Sequence, residues 1–149
     1  MDQATARQKP PLSFWVVSIL GLIWNAFGGF DYWMTRTRNV DYLAQAGDPQ
    51  VVLAWIDSFP LWAQICWGLG VWGSIAGSVL LLLRSRHAVN AFLVSLVGAL
   101  GSFSYQLLMS DVPASLDTTG GKVMPIVILA IVAFLWQFSK REVAKGLLR

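Results

Sequence analysis

Apolar residues gather into four long stretches, at about 14–34, 61–83, 88–109 and 123–139, with short polar segments between them. A bilayer core about 30 Å thick needs about 20 apolar helical residues to cross it. Backbone groups in lipid must bond within their own segment, so each stretch is predicted to be a helix. The pattern predicts an all-α polytopic membrane protein: one domain over residues 1–149, with four spans in a single bundle. A polar lead (1–12) precedes the spans and a basic tail (140–149) follows them.

The segment between the first two spans has a pattern of its own. Asp48 suits a helix cap and Pro49 the first helical position. From there Val51, Val52, Trp55, Ile56 and Phe59 share one helical face, and Gln50, Ala54, Asp57 and Ser58 the other. A short amphipathic helix is expected here, lying on the outer membrane surface or capping the bundle. Arg84-Ser85-Arg86-His87 makes a tight link, so the second and third spans form an antiparallel hairpin. Pro113 and Gly120-Gly121 predict an irregular segment over 110–122, with Pro125 at the start of the fourth span.

Charge adds orientation. Charged residues make up 13% of the chain, about half the share of a soluble domain. Of the 11 Lys and Arg, eight (Arg7, Lys9, Arg84, Arg86, Lys140, Arg141, Lys145 and Arg149) fall at one end of the bundle. Arg36, Arg38 and Lys122 fall at the other. Basic residues stay on the cytoplasmic side, so both termini are expected there. The net charge of +3 follows from this placement and does not indicate a nucleic-acid partner; membrane lipid is the expected contact. The first stretch reads as a retained helix. Its apolar core runs on for about 21 residues, longer than a signal-peptide core, and ends in Asp31-Tyr32-Trp33.

Small residues mark the faces on which helices can meet. Gly73-Ser-Ile-Ala-Gly77 matches GxxxG, and Gly70, Ser74 and Ser78 continue its spacing. Ser95, Gly98 and Ser102 form a similar face on the third span, and Gly21, Gly28 and Gly29 on the first. Small residues let helix backbones approach closely. Gly70, Gly73, Ser74, Gly77, Gly98 and Ser102 are therefore expected to pack helices within the bundle or to form a seam between copies.

Polar residues within the spans are few. Asp31 lies about one turn from the outer end of the first span, where a carboxylate is costly unless partnered. Arg36 and Arg38 follow it, and Tyr32, Gln64, Tyr105 and Gln106 fall at a similar depth. These residues are expected either to line an outward-facing polar pocket or to tie helix ends together. Asn25 lies nearer the middle and shares a face with Gly21, Gly28, Gly29 and Tyr32. It suits a hydrogen bond between helices or a substrate-binding amide. Trp24, Trp67 and Trp72 are expected in the bundle core, and Trp15, Trp33, Trp62 and Trp136 near the interfaces.

Catalytic groups are scarce. His87 is the only histidine and Cys66 the only cysteine, so no haem, zinc or activated-thiol set can be assembled, and no cofactor or metal is expected. The chain reads as a non-enzyme.

The stretch Leu22-Ile-Trp24-Asn25-Ala-Phe-Gly28-Gly-Phe-Asp31-Tyr32-Trp-Met34-Thr35, with Arg38-Asn39 and Tyr42-Leu43 after it, resembles a group of small four-helix proteobacterial inner-membrane proteins. Phe59-Pro60, Gly77-Ser-Val-Leu-Leu-Leu-Leu-Arg84 and Lys145-Gly146-Leu-Leu-Arg149 extend the resemblance over most of the chain. Members are often labelled sugar transporters, but no catalytic or substrate-binding residues carry over. Two functions are therefore expected. One is an interaction protein, either an accessory subunit in a larger membrane complex or a self-associating homo-oligomer. The alternative is an oligomeric transporter or channel for a small solute, with its polar site around Asp31.

Overall fold

The computed structural model describes residues 8–149; Arg7 and most of the polar lead lie outside them. The described residues form helices joined by turns, without strands. Pro10-Pro11 lead into α1 (Leu12–Arg36). Then come α2 (Val40–Leu43), α3 (Pro49–Asp57) and α4 (Leu61–Leu82). α5 (Ala88–Ser104) continues without a break as a π-helical turn, Tyr105–Met109, and α6 is Thr119–Ala144. Four of these helices, 22 to 26 residues long, are long and apolar enough to cross a membrane. At about 1.5 Å per residue each spans more than a bilayer core.

α5 packs against α4 on one side and α6 on the other, and α1 packs against α4. α1 also meets α6, where Gly21 lies under Leu135 and the Phe14 ring stacks on Phe138 at 6.1 Å. Both described termini reach the α4–α5 link, so one end of the bundle is a terminal end and the opposite one a loop end. The largest apolar core lies at the terminal end, where Phe14, Leu81, Phe92, Leu135 and Leu148 bury one another.

Between helices in lipid the hydrophobic effect supplies little, so closeness of packing must supply the rest. The α4–α5 seam is built that way. A Cβ on Gly73 would stand 3.0 Å from the Ser95 nitrogen. One on Gly98 would stand 2.6 Å from the Cys66 carbonyl and 2.7 Å from the Gly70 nitrogen. Gly77 holds the Phe92 ring at 2.8 Å from the place its own Cβ would take. Ser95 then donates its hydroxyl to the Gly70 carbonyl at 2.5 Å across the seam.

The amphipathic helix expected after Asp48 is α3. The Asp48 carboxylate accepts from the Gln50 N–H at 2.9 Å, and Pro49 opens the helix. Val52 and Phe59 are buried, while Gln50, Ala54, Asp57 and Ser58 face out.

Six expectations need correction. α2, capped by Asn39, appears where only loop was expected, because the Asn39 side chain accepts from the Tyr42 N–H at 2.9 Å. α6 starts before the predicted span: the Thr118 hydroxyl accepts from the Gly121 N–H at 3.1 Å, which draws Gly120, Gly121 and Lys122 into the helix. Pro125 consequently lies inside α6 rather than at its start. Trp24 and Trp72 do not fill the core, since both are exposed, Trp72 keeping only one edge against Tyr32. Gly28 does not share the buried face of Gly21, Asn25 and Gly29; it opens outward with nothing within 4 Å.

The last correction concerns the basic tail. α6 runs to Ala144, and Gly146, at φ +73°, turns the chain back through paired bonds from Gly146 N to the Val143 carbonyl and from Leu147 N to the Glu142 carbonyl. Leu147 and Leu148 are buried. Arg149 exchanges backbone bonds with the α4–α5 link, donating to the Arg84 carbonyl at 2.9 Å and accepting from the Arg86 N–H at 2.7 Å. Glu142 is 2% exposed; one carboxylate oxygen takes Lys145 at 2.8 Å and the other has no partner among the described residues.

Candidate functional site at the loop end

The polar residues singled out in the sequence do not form one pocket. Asn25 projects from α1 toward α4 in the middle of the bundle. Its amide donates to the Ser78 hydroxyl at 2.8 Å and to the Ser74 carbonyl at 3.3 Å. Ser74 in turn donates its hydroxyl to the Val71 carbonyl within α4, and makes no side-chain bond to α5 among the described residues. Ser102 is buried on α5 and accepts from the Gln106 amide at 3.0 Å.

Asp31 turns away from that interior. It lies on the outward face of α1 beside Phe27 and Phe30, and accepts from the Tyr42 hydroxyl at 2.6 Å. Among the described residues it bonds neither to Arg36 nor to Arg38, and no side chain of α4 or α5 reaches it. The expected cluster fails for a geometric reason. Tyr32 follows Asp31 by 100° of helical turn and takes the inward position, edge-on to the Trp67 ring at 4.8 Å and the Trp72 ring at 6.0 Å. Gly68 makes room for the Tyr32 hydroxyl, which lies 3.3 Å from the place a Cβ would take. The arginines are held elsewhere: Arg36 donates to Gln64 at 3.1 Å and Arg38 pairs with Asp57 at 2.8 Å. Gln64 donates to the Phe59 carbonyl at 2.9 Å and so fixes the α3–α4 corner.

Tyr42 responds to its partner. The hydrogen bond to Asp31, followed by burial and the nearby negative charge, pushes the phenol from 10.0 up to about 12.

Tyr105 leads to a different place. At the end of α5 the Ser110 N–H bonds to the Tyr105 carbonyl, five residues back, at 2.9 Å. The Gln106 carbonyl, which that N–H would take in an α-helix, accepts the Ser110 hydroxyl instead, at 2.6 Å. The side-chain bond compensates the slipped backbone bond and holds the π-turn. Such turns are rare and frequent at functional sites. This one sets Tyr105, Met109, Ser110 and Asp111 across from α3, where Trp55 and Ser58 complete the walls of a cleft of about 520 Å³. Behind it runs a chain of edge-on aromatic contacts: Trp55 to Phe59 at 5.1 Å, Phe59 to Tyr105 at 5.1 Å, and Tyr105 to Trp62 at 5.5 Å.

Tyr105 is thus the only predicted site residue in the cleft. Sequence reasoning assigned Trp55 to the face of α3 but missed its meeting with Ser110 and Asp111, and it missed Tyr42 as the partner of Asp31. The α3 face was a usable signal, whereas the π-turn has no simple periodic signature. At the terminal end a second cleft, of about 400 Å³, is lined by Leu83, Arg84, Ser85 and Arg149. Among the described residues no group of three His, Cys, Asp or Glu gathers to hold a metal. No family model matches the chain, and neither a curated protein nor a solved structure matches it.

Proposed function

We propose that this chain is a multi-pass protein of a bacterial inner membrane, with both termini cytoplasmic, that works by interaction and carries out no chemistry of its own. It serves as an accessory subunit or as a self-associating bundle. The observation carrying this reading is the state of the interior polar groups. Asn25 is spent on Ser78 and on the Ser74 carbonyl, Ser95 on the Gly70 carbonyl, and Ser18 and Ser139 on their own helices. Glycine contacts close the α4–α5 seam around them. A solute crossing such a bundle would find few free groups to replace its water.

The transport alternative loses support from Asp31, which faces away from the interior that a solute path would follow. The orientation rests on the sequence, in which eight of the 11 Lys and Arg lie before the first span, between the second and third, or after the fourth.

The test is purification in mild detergent, with mass measurement of the intact particle. A stable complex with another membrane protein, or a homo-oligomer joined along outward faces, is expected. A homo-oligomer enclosing a wet central seam that passes a labelled solute in proteoliposomes would overturn the reading. A reporter fused after Arg149 should be active in the cytoplasm, and one inserted within 114–119 active only in the periplasm; the reverse would overturn the orientation.

A further inference from the structure

The cleft between α3 and the π-turn has a lopsided inventory of hydrogen-bonding groups. Ser58 spends its one hydroxyl proton on the Trp55 carbonyl at 2.6 Å, and Ser110 spends its proton on the Gln106 carbonyl at 2.6 Å. Each hydroxyl then offers a ligand lone pairs and no donor. Asp111 adds an exposed carboxylate that makes no ion pair with any described residue. No Lys, Arg or His lines the cleft. The walls hold two electron-rich rings, Trp55 and Tyr105, with apolar surface from Val51 and Met109.

An anion entering here would meet a carboxylate and no positive charge. A neutral polyol could hydrogen-bond here but would leave the Asp111 charge unanswered. A positively charged nitrogen suits all of these groups: it answers Asp111, turns polarised C–H or N–H groups toward the hydroxyl lone pairs, and gains from aromatic rings within about 6 Å.

We propose that this cleft binds a small organic ammonium compound, with the nitrogen toward Asp111 and the aromatic rings. The ammonium belongs either to a free solute or to the headgroup of a zwitterionic lipid, since both present the same chemistry. The site is independent of the interaction role proposed above and stands or falls separately from it.

The test uses the whole chain in maltoside detergent, titrated calorimetrically with choline. Choline is expected to bind, and its neutral isostere, with carbon in place of nitrogen, at least about tenfold more weakly. Asp111→Asn, an exposed change far from the helix seams, should weaken choline by a similar factor. Absence of choline binding, equal binding of the neutral isostere, or indifference to Asp111→Asn would overturn the proposal. Nanodiscs then separate the sources. If choline binding is suppressed in phosphatidylethanolamine but kept in phosphatidylglycerol, the natural occupant is a lipid headgroup; equal binding in both assigns a free solute.

Discussion

Asn25 on α1 and Ser78 on α4 are joined by a hydrogen bond of 2.8 Å in the middle of the bundle, from amide nitrogen to hydroxyl oxygen. Both residues are buried, and the same amide reaches the Ser74 carbonyl one turn away. Bonds of this kind between membrane helices contribute about 0.6 to 2 kcal/mol. Asn25→Ala should therefore lower thermal stability in detergent by about that amount. Ser78→Ala should cost less, because the Ser74 carbonyl still accepts. The double variant should cost less than the sum, as expected of two residues sharing one bond. Strict additivity in the melting data would show that the bond does not hold α1 to α4.

The glycines divide into those under pressure and those free of it. Gly98→Ala would drive a methyl against backbone of α4 on two sides, and backbone cannot step aside. Gly77→Leu would collide with the Phe92 ring, which is fully buried and has nowhere to go. Both should lower the melting temperature, with losses of about 1–3 kcal/mol or more from overpacking. Gly28→Ala meets open space and removes a weak helix former. It should be neutral, or stabilising by up to about 1 kcal/mol. Equal melting of all three variants would mean that the α4–α5 seam is looser than these distances require.

The Tyr42 phenol should keep its proton well past the ordinary tyrosine range. The neutral phenol is the donor to Asp31, and its value is raised from 10.0 to about 12. The stability that the contact contributes is therefore complete below pH 10 and is lost as the pH climbs through about 12. Tyrosinate absorbance followed against pH should show one late component. That component should vanish in Tyr42→Phe and move toward the ordinary range in Asp31→Asn, which keeps an acceptor but removes the charge. A late component that persists in Tyr42→Phe would belong to another tyrosine.

The four spanning helices were legible because a membrane imposes a crude rule of length and apolarity that any span must meet. α3 was legible because Asp48, Pro49 and a one-sided apolar pattern agree. The polar site was not, and Asp31 shows why. Depth along a helix can be read from the chain, but direction around it depends on which face the neighbours cover. Asn25 and Tyr32 hold the inward positions, which leaves Asp31 to the α2 turn and Tyr42. The π-turn is a second case. Ser110 tips a local balance between two carbonyl acceptors, and periodicity does not register a single slipped bond. The returning tail is a third. Its basic residues marked it as a tail beyond the last span, whereas Gly146 turns the chain back and Leu147 and Leu148 are buried.

Arg84 offers the sharpest separation of two opposed effects. It occupies the left-handed position that ends α4, at φ +58°, where its N–H takes the Leu81 carbonyl and the Ser85 N–H takes that of Leu80. Glycine is the usual residue in this motif, because a side chain there costs about 1–2 kcal/mol. Arg84 tolerates the cost while its guanidinium donates to the Leu147 carbonyl at 3.0 Å and reaches the Gln8 carbonyl at 3.4 Å, tying both described ends of the chain to the link. Arg84→Ala loses the tie and keeps the strained backbone, so it should be clearly destabilised. Arg84→Gly loses the same tie and relieves the strain, so it should melt above Arg84→Ala by the equivalent of about 1 kcal/mol. In both variants the protons of Leu147 and Leu148 should exchange faster with solvent, because their clamp is gone. If the alanine variant proved the more stable of the two, the left-handed turn at Arg84 would not be the conformation that ends α4.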